Sequence, residues 1–166
     1  MTDVIEIPLI AEDQELILSF LKLLPVQGES IYNGFIFYNY PVAENKQIYF
    51  YILEPYQEME NAHIWESIIP KAPFSLMFFS WDQKVQNTGL AHLHDLYTSK
   101  FNTPIIFISD NIPEELDFSS VDDDILQKHL ENIIMYQPDT PQSAKETLRN
   151  ALINVRENIP AELEER

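Results

Sequence analysis

The chain has no cysteine and only three glycines in 166 residues. Without a thiol there is no disulfide, no thiolate nucleophile and no thiolate metal site, which fits a cytoplasmic protein. Glycine normally makes up roughly 7 % of a chain. Loops that wrap a phosphate with backbone amides need it, because side chains must stay clear and φ > 0 must be allowed. Gly28, Gly34 and Gly89 leave little material for such a loop. Basic residues are scarce too: ten Lys and Arg stand against 27 Asp and Glu, a formal net charge of −17. A field of that sign repels DNA, RNA and anionic lipid, so neither nucleic acid nor membrane is expected as a partner. No run approaches the roughly 18 apolar residues of a membrane span. The opening MTDVIEI lacks the basic-then-apolar pattern of a secretory signal.

What is present is an alternation of apolar runs and amphipathic stretches. Val4, Ile5 and Ile7 form a short strand that reaches Pro8, and PLIAEDQE reads as a polar loop. In the helix after it Leu16, Ile17, Phe20, Leu21 and Leu24 recur at helical spacing, so one face is built for a core. Gly34–Tyr40 and Gln47–Leu53 are aromatic, β-branched strands joined by the turn PVAENK, a connector short enough to make them antiparallel. A helix with Met59, Ile64, Trp65, Ile68 and Ile69 stops before Pro70. Phe74–Trp81 and Pro104–Ser109 are continuous apolar runs, the mark of strands covered on both faces. A helix carrying Val85, Leu90, Leu93, Tyr97 and Phe101 lies between them, capped by Asp82. A short helix around Ile125–Leu130, a strand at Ile133–Tyr136 and a last helix opened by Thr140-Pro141 complete the order.

Helix-length crossovers in such an order require parallel strands. The expectation is one α/β domain over residues 1–160, three-layered, with a six-stranded, mostly parallel sheet and an antiparallel hairpin at one edge. Residues 161–166, AELEER, form an acidic tail.

Few residues suggest chemistry. His92 and His94, with Asp95, are spaced i, i+2, which converges on a strand but diverges by about 200° on a helix; this segment reads helical. Asp122-Asp123-Asp124 reads as a helix start, since carboxylates favour the positive end of the helix dipole, and it lacks the glycine and closing glutamate of a calcium loop. No metal site, cofactor or catalytic residue is expected. The tyrosines and phenylalanines between Tyr32 and Tyr56 are crowded. Either they stabilise the strands, or those facing outward form a contact surface.

Six strands with the hairpin second, in about 160 residues, resemble the plan of Ras-like small GTPases, above all the bacterial gliding-motility and polarity GTPases that work with Roadblock-fold partners. LEPYQEMENAHIWESIIPKAPFSLMFFSW looks like that branch's switch-II segment, FNTPIIFIS like the strand before the base-recognition motif, and SAKETLRNALINVREN like the last helix. The chemical motifs depart from the family's pattern. The phosphate-binding GxxxxGK[ST] falls over Pro8–Glu15: Pro8 replaces the first glycine, Asp13 the second, Gln14 the lysine and Glu15 the hydroxyl. Tyr56 stands for the switch-II glycine, with Gln57 at the water-orienting glutamine. Ile112 takes the place of the base-recognising aspartate, and Pro138, which has no N–H, lies where a backbone amide would meet the base.

The resemblance therefore implies a pseudo-GTPase: no GTP, no enzymatic activity, and an interaction or scaffold role in bacterial signalling, motility or polarity. Its partner would be a Roadblock-type protein or an active GTPase, docked on the hairpin edge and the switch-II helix through Tyr32, Phe35, Phe37, Tyr56, Met59, His63 and Trp65. Two alternatives stand beside it. One is a nucleotide-binding, GTPase-like enzyme with unorthodox motifs. The other is a receiver-like regulatory domain, with Glu12-Asp13 near its acidic position and the hairpin against it.

Overall fold

The computed structural model describes residues 3–11, 13–32, 35–53, 59–80, 88–110, 133–137 and 140–158. Its centre is β1 (Asp3–Ala11), which alternates sides as a strand must: Ile7, Leu9 and Ala11 serve one core, Ile10 the other. The helix α1 (Gln14–Leu21) follows after two residues, and its buried Ile17, Phe20 and Leu21 hold it against the sheet. Three strands then run consecutively: β2 (Gln27–Tyr32), β3 (Phe35–Ala43) and β4 (Lys46–Leu53). Next come α2 (Met59–Ile68), a 3₁₀ turn at Ile69–Lys71 around Pro70, and β5 (Ser75–Phe79). The helix α3 (Thr88–Lys100), β6 (Ile105–Ser109), β7 (Ile134–Met135) and α4 (Pro141–Asn158) follow. The helix expected around Ile125–Leu130 and the cap expected at Asp82 lie outside the described residues.

The strands form one sheet in the order β2-β3-β4-β1-β5-β6-β7. Pairings from β4 through β7 are parallel; β2 with β3 and β3 with β4 are antiparallel. This is the expected α/β architecture, a mostly parallel sheet with an antiparallel edge, broader at that edge by one strand. QGESIY carries too little apolar signal to read as a strand, and its pairing with β3 supplies the ladder that its own propensity does not. Three consecutive antiparallel strands also rule against the receiver-like plan, which alternates strictly.

Helices cover both faces. Phe20 of α1 meets Phe78 at 5.3 Å and Tyr136 at 5.2 Å, in a core completed by Ile48, Phe50, Leu76 and Ile108 with Ala144, Leu148 and Ala151 of α4. On the other face Trp65, Ile68, Ile69, Leu93 and Tyr97 pack on Ile10, Leu53, Met77 and Phe107. Each large side chain buried this way contributes about 1.5–3 kcal/mol.

One expectation about β1 is corrected. The strand does not end at Pro8 but runs on through Leu9, Ile10 and Ala11, all fully buried. Pro8 is tolerated because it sits at a boundary. It lies opposite Tyr51 of β4, whereas pairing with β5 begins one residue later, at Leu9 with Leu76. The missing N–H therefore falls where the ladder has one neighbour rather than two. Among the described residues no helix is long and apolar enough to cross a membrane.

Candidate functional site at the carboxyl end of the sheet

In open α/β sheets ligands bind beyond the carboxyl ends of the strands, beside the helix N-termini. Here that region starts where β1 meets α1. Only residues 12 and 13 separate Ala11 from Gln14. The loop expected over Pro8–Glu15 is thus absent: Pro8 is buried within β1, and Gln14 and Glu15 already belong to the helix. A phosphate cradle is built from several successive loop amides. Asp13 is extended (φ −110°, ψ 110°), and its side chain accepts the backbone N–H of Glu15 at 3.0 Å. The helix end that would face an anion is capped by an anion of the chain itself. Leu9 lies in the core under α1.

The ends of β5, β6 and β7 are tied together in the same manner. The Ser80 hydroxyl donates to both carboxylate oxygens of Asp110, at 3.2 and 3.1 Å. The Ser109 hydroxyl donates to the Asp110 carbonyl at 3.0 Å, and the Tyr136 N–H donates to the Ser109 carbonyl at 3.1 Å. Burial, with the negative charge of Asp110 second, pushes the Tyr136 phenol up to about 12. At the start of α4 the Gln137 N–H donates to the Ser143 hydroxyl at 2.8 Å, and Thr140 Oγ1 donates to Gln137 Oε1 at 3.4 Å. The backbone amide beside the position of Pro138 is engaged within the chain. Pro138, Ile112 and Tyr56 lie outside the described residues, as does Gln57.

The contact residues expected on the edge and on α2 divide. Tyr32 and Phe35 are paired across β2 and β3 in the ladder, and Met59 opens α2. Phe37 is half-buried, with its ring 5.0 Å from Tyr49 and 5.6 Å from Tyr51. His63 is exposed on α2. Trp65 is corrected: it is 1 % exposed and fills the core between α2 and the sheet, so it presents nothing to a partner. Residues two apart on an α-helix point about 200° away from each other, which is why His63 and Trp65 have different surroundings. His94 stacks on Phe107 at 5.9 Å, with Nδ1 4.0 Å from the Asp95 carboxylate. Among the described residues no three His, Asp or Glu side chains gather as a metal site.

Sequence reasoning missed three pairs. Ser80–Asp110 and Gln137–Ser143 join different elements, so they become visible only once strand order is known. The third lies on the α2 face of the sheet, where the Tyr51 hydroxyl donates to Glu6 Oε1 at 3.2 Å. Burial first, then the charge and hydrogen bond of Glu6, holds this phenol far above its ordinary value. Glu6 is a polar residue at an otherwise apolar strand's inner position, and that mismatch was the available signal.

No protein-family model matches the chain, and no curated protein matches it in sequence. Solved structures do resemble it. The G domain of the Thermotoga maritima FeoB iron transporter aligns with TM-score 0.59 and 13 % identity, over 93 % of this chain and 99 % of that one. The cytosolic domain of the same transporter in its GMPPNP form gives 0.61 and 16 %, covering 93 % of this chain and 65 % of that one. Translation elongation factor SelB from Methanococcus maripaludis, in complex with the GTP analogue GPPNHP, gives 0.59 and 15 %, covering 96 % and 35 %. These likenesses show a Ras-like, G-domain type of fold. They also overturn the expectation that the chain is not an enzyme: its structural neighbours are G domains, two of them in forms with a GTP analogue.

Proposed function

We propose that this chain is a protein-interaction module built on a G-domain fold, acting in bacterial signalling, motility or polarity, with its antiparallel edge and the exposed side of α2 as the docking surface. The observation that carries this reading is the self-capped start of α1. Asp13 occupies the amide that a phosphate would use, on a two-residue loop. The region where the fold ordinarily recognises a small ligand is spent on internal hydrogen bonds, while the edge is extended by an added strand. A Roadblock-fold protein is the partner class that the sequence resemblance implies.

Photo-crosslinking in the source cells tests it. A benzophenone side chain at Val42, on the edge, or at His63, on α2, should capture one discrete partner; the same group at Ile153 of α4 should not. All three positions are exposed. Capture from Ile153 alone, or from none of the three, would overturn the reading.

A second reading is a G domain that holds guanine nucleotide through other groups. The two structural neighbours in GTP-analogue forms favour it. Stabilisation by GTP with magnesium separates the two.

A further inference from the structure

The two edges of the sheet are finished differently. At one edge β7 has two residues, and its Met135 carbonyl accepts the Thr147 hydroxyl of α4 at 3.5 Å. An edge so short, with a carbonyl taken by a side chain, gives a further strand little to pair with. At the other edge β2 runs for six residues, and among the described residues no strand lies on its outer side. Its register with β3 shifts between Gln27 and Glu29, then runs unbroken from Glu29 opposite Tyr38 to Tyr32 opposite Phe35. Along such a stretch the N–H and C=O of alternate residues point away from the neighbouring strand. The segment QGESIY carries neither the proline nor the lysine that commonly guard an edge.

We infer that β2 accepts an extended, basic segment of a protein partner as an additional strand of the sheet. Main-chain pairing at an open edge supplies affinity with little regard to sequence, so charge decides which strand is taken. A second copy of the chain would bring another −17 to the same edge, and that repulsion keeps a bare edge from pairing with itself. A strand rich in lysine or arginine is drawn to it by the same field. The edge fixes where the partner docks, and the charge fixes its chemistry. This assignment rests on the interaction-module reading and names the partner's conformation and sign.

An amide-resolved NMR titration of the full chain with three synthetic peptides tests it. The first peptide alternates lysine with valine and threonine, and the second has glutamate in place of each lysine. The third keeps the lysines but has proline at every valine, so it matches the charge and cannot extend a ladder. The first should give saturable shifts centred on residues 27–32 and slow the hydrogen exchange of alternate β2 amides. The proline peptide should bind about tenfold more weakly, the scale of one or two backbone hydrogen bonds, and the acidic peptide should not saturate. Of the neighbours Ser30 and Ile31, one N–H faces β3 and the other faces outward. One of Ser30→Pro and Ile31→Pro should therefore abolish binding with the spectrum of β1, β4 and β5 unchanged, while the other disturbs the pairing with β3. Equal binding of the proline peptide, or shifts centred away from β2, would overturn the assignment. Concentration-dependent shifts at β2 without peptide would give the edge to a second copy and overturn it as well. If crosslinking from Val42 and His63 succeeds while this titration fails, only the strand assignment falls; if crosslinking fails, the interaction reading itself is lost.

Discussion

The Asp13 carboxylate accepts the Glu15 backbone N–H at 3.0 Å, two residues after β1 ends. A side chain placed this way does two things at once. It satisfies an orphan donor of the first helical turn, and it puts a negative charge where an anionic ligand would approach. Asp13→Ala should therefore cost about 1 kcal/mol of stability, the usual worth of such a cap. Urea unfolding monitored by circular dichroism checks it, and a loss under about 0.3 kcal/mol would contradict the capping role.

Ser80→Ala should be costlier than an ordinary surface change, because it strips both hydroxyl contacts from the half-buried Asp110 carboxylate. About 1–3 kcal/mol is expected for a hydrogen bond to a charged group. Removing the charge as well, in Ser80→Ala with Asp110→Asn, should recover part of that loss. A double-mutant cycle reads the coupling.

Trp65→Ala should destabilise the fold by about 3–5 kcal/mol, as large-to-small changes in a core do, since the side chain is buried against the sheet. His63→Ala, two residues away and exposed, should stay within about 0.5 kcal/mol. Equal effects at the two positions in thermal unfolding would contradict the placement of α2.

Alkaline pH should weaken the fold in a defined window. Burial raises Tyr97 and Tyr136 to about 12, against an ordinary value of 10.0, with Asp110 adding to the second. For Tyr97, hydrogen bonds with Ser75, at 2.8 Å, and with Thr103 pull the other way but lose to burial. Since the folded values lie above the unfolded ones, the stabilisation is fully present below pH 10 and is lost as pH rises through about 12. The urea midpoint measured from pH 9 to 12 should fall across that interval; a flat profile would contradict it. Asp110→Asn should lower the Tyr136 titration, followed by phenolate absorbance, without returning it to 10.0.

Much of this architecture was legible from residues alone. The continuous apolar runs at Leu76–Phe79 and Ile105–Ile108 could only be strands covered on both sides, and the Phe20–Leu24 stripe could only face a core. Elsewhere local signals competed. Pro8 read as a strand end because proline lacks a donor, yet its neighbours Leu9 to Ala11 are buried on both sides of the sheet and carried the strand past it. The strand β2 was invisible because its ladder partner, not its own composition, makes it a strand. At the candidate site, the lack of glycine and lysine raised the expectation of no phosphate cradle, while the hydrogen bonds of Asp13, Ser80 and Ser143 there are visible only in the structure. Those contacts join residues that no local pattern pairs.

The central claim is that the chain's own side chains occupy the end of α1 where this fold would hold a phosphate. Thermal unfolding with 1 mM GTP, GDP or ATP and excess magnesium tests it most directly. A ligand held at micromolar affinity would add about 4 kcal/mol at about 1,000-fold excess, and roughly 2–4 °C per kcal/mol then gives a rise of about 10 °C. The self-capped site predicts a shift of less than about 1 °C. A rise of several degrees with any of the three nucleotides would contradict it and establish the nucleotide-binding reading instead.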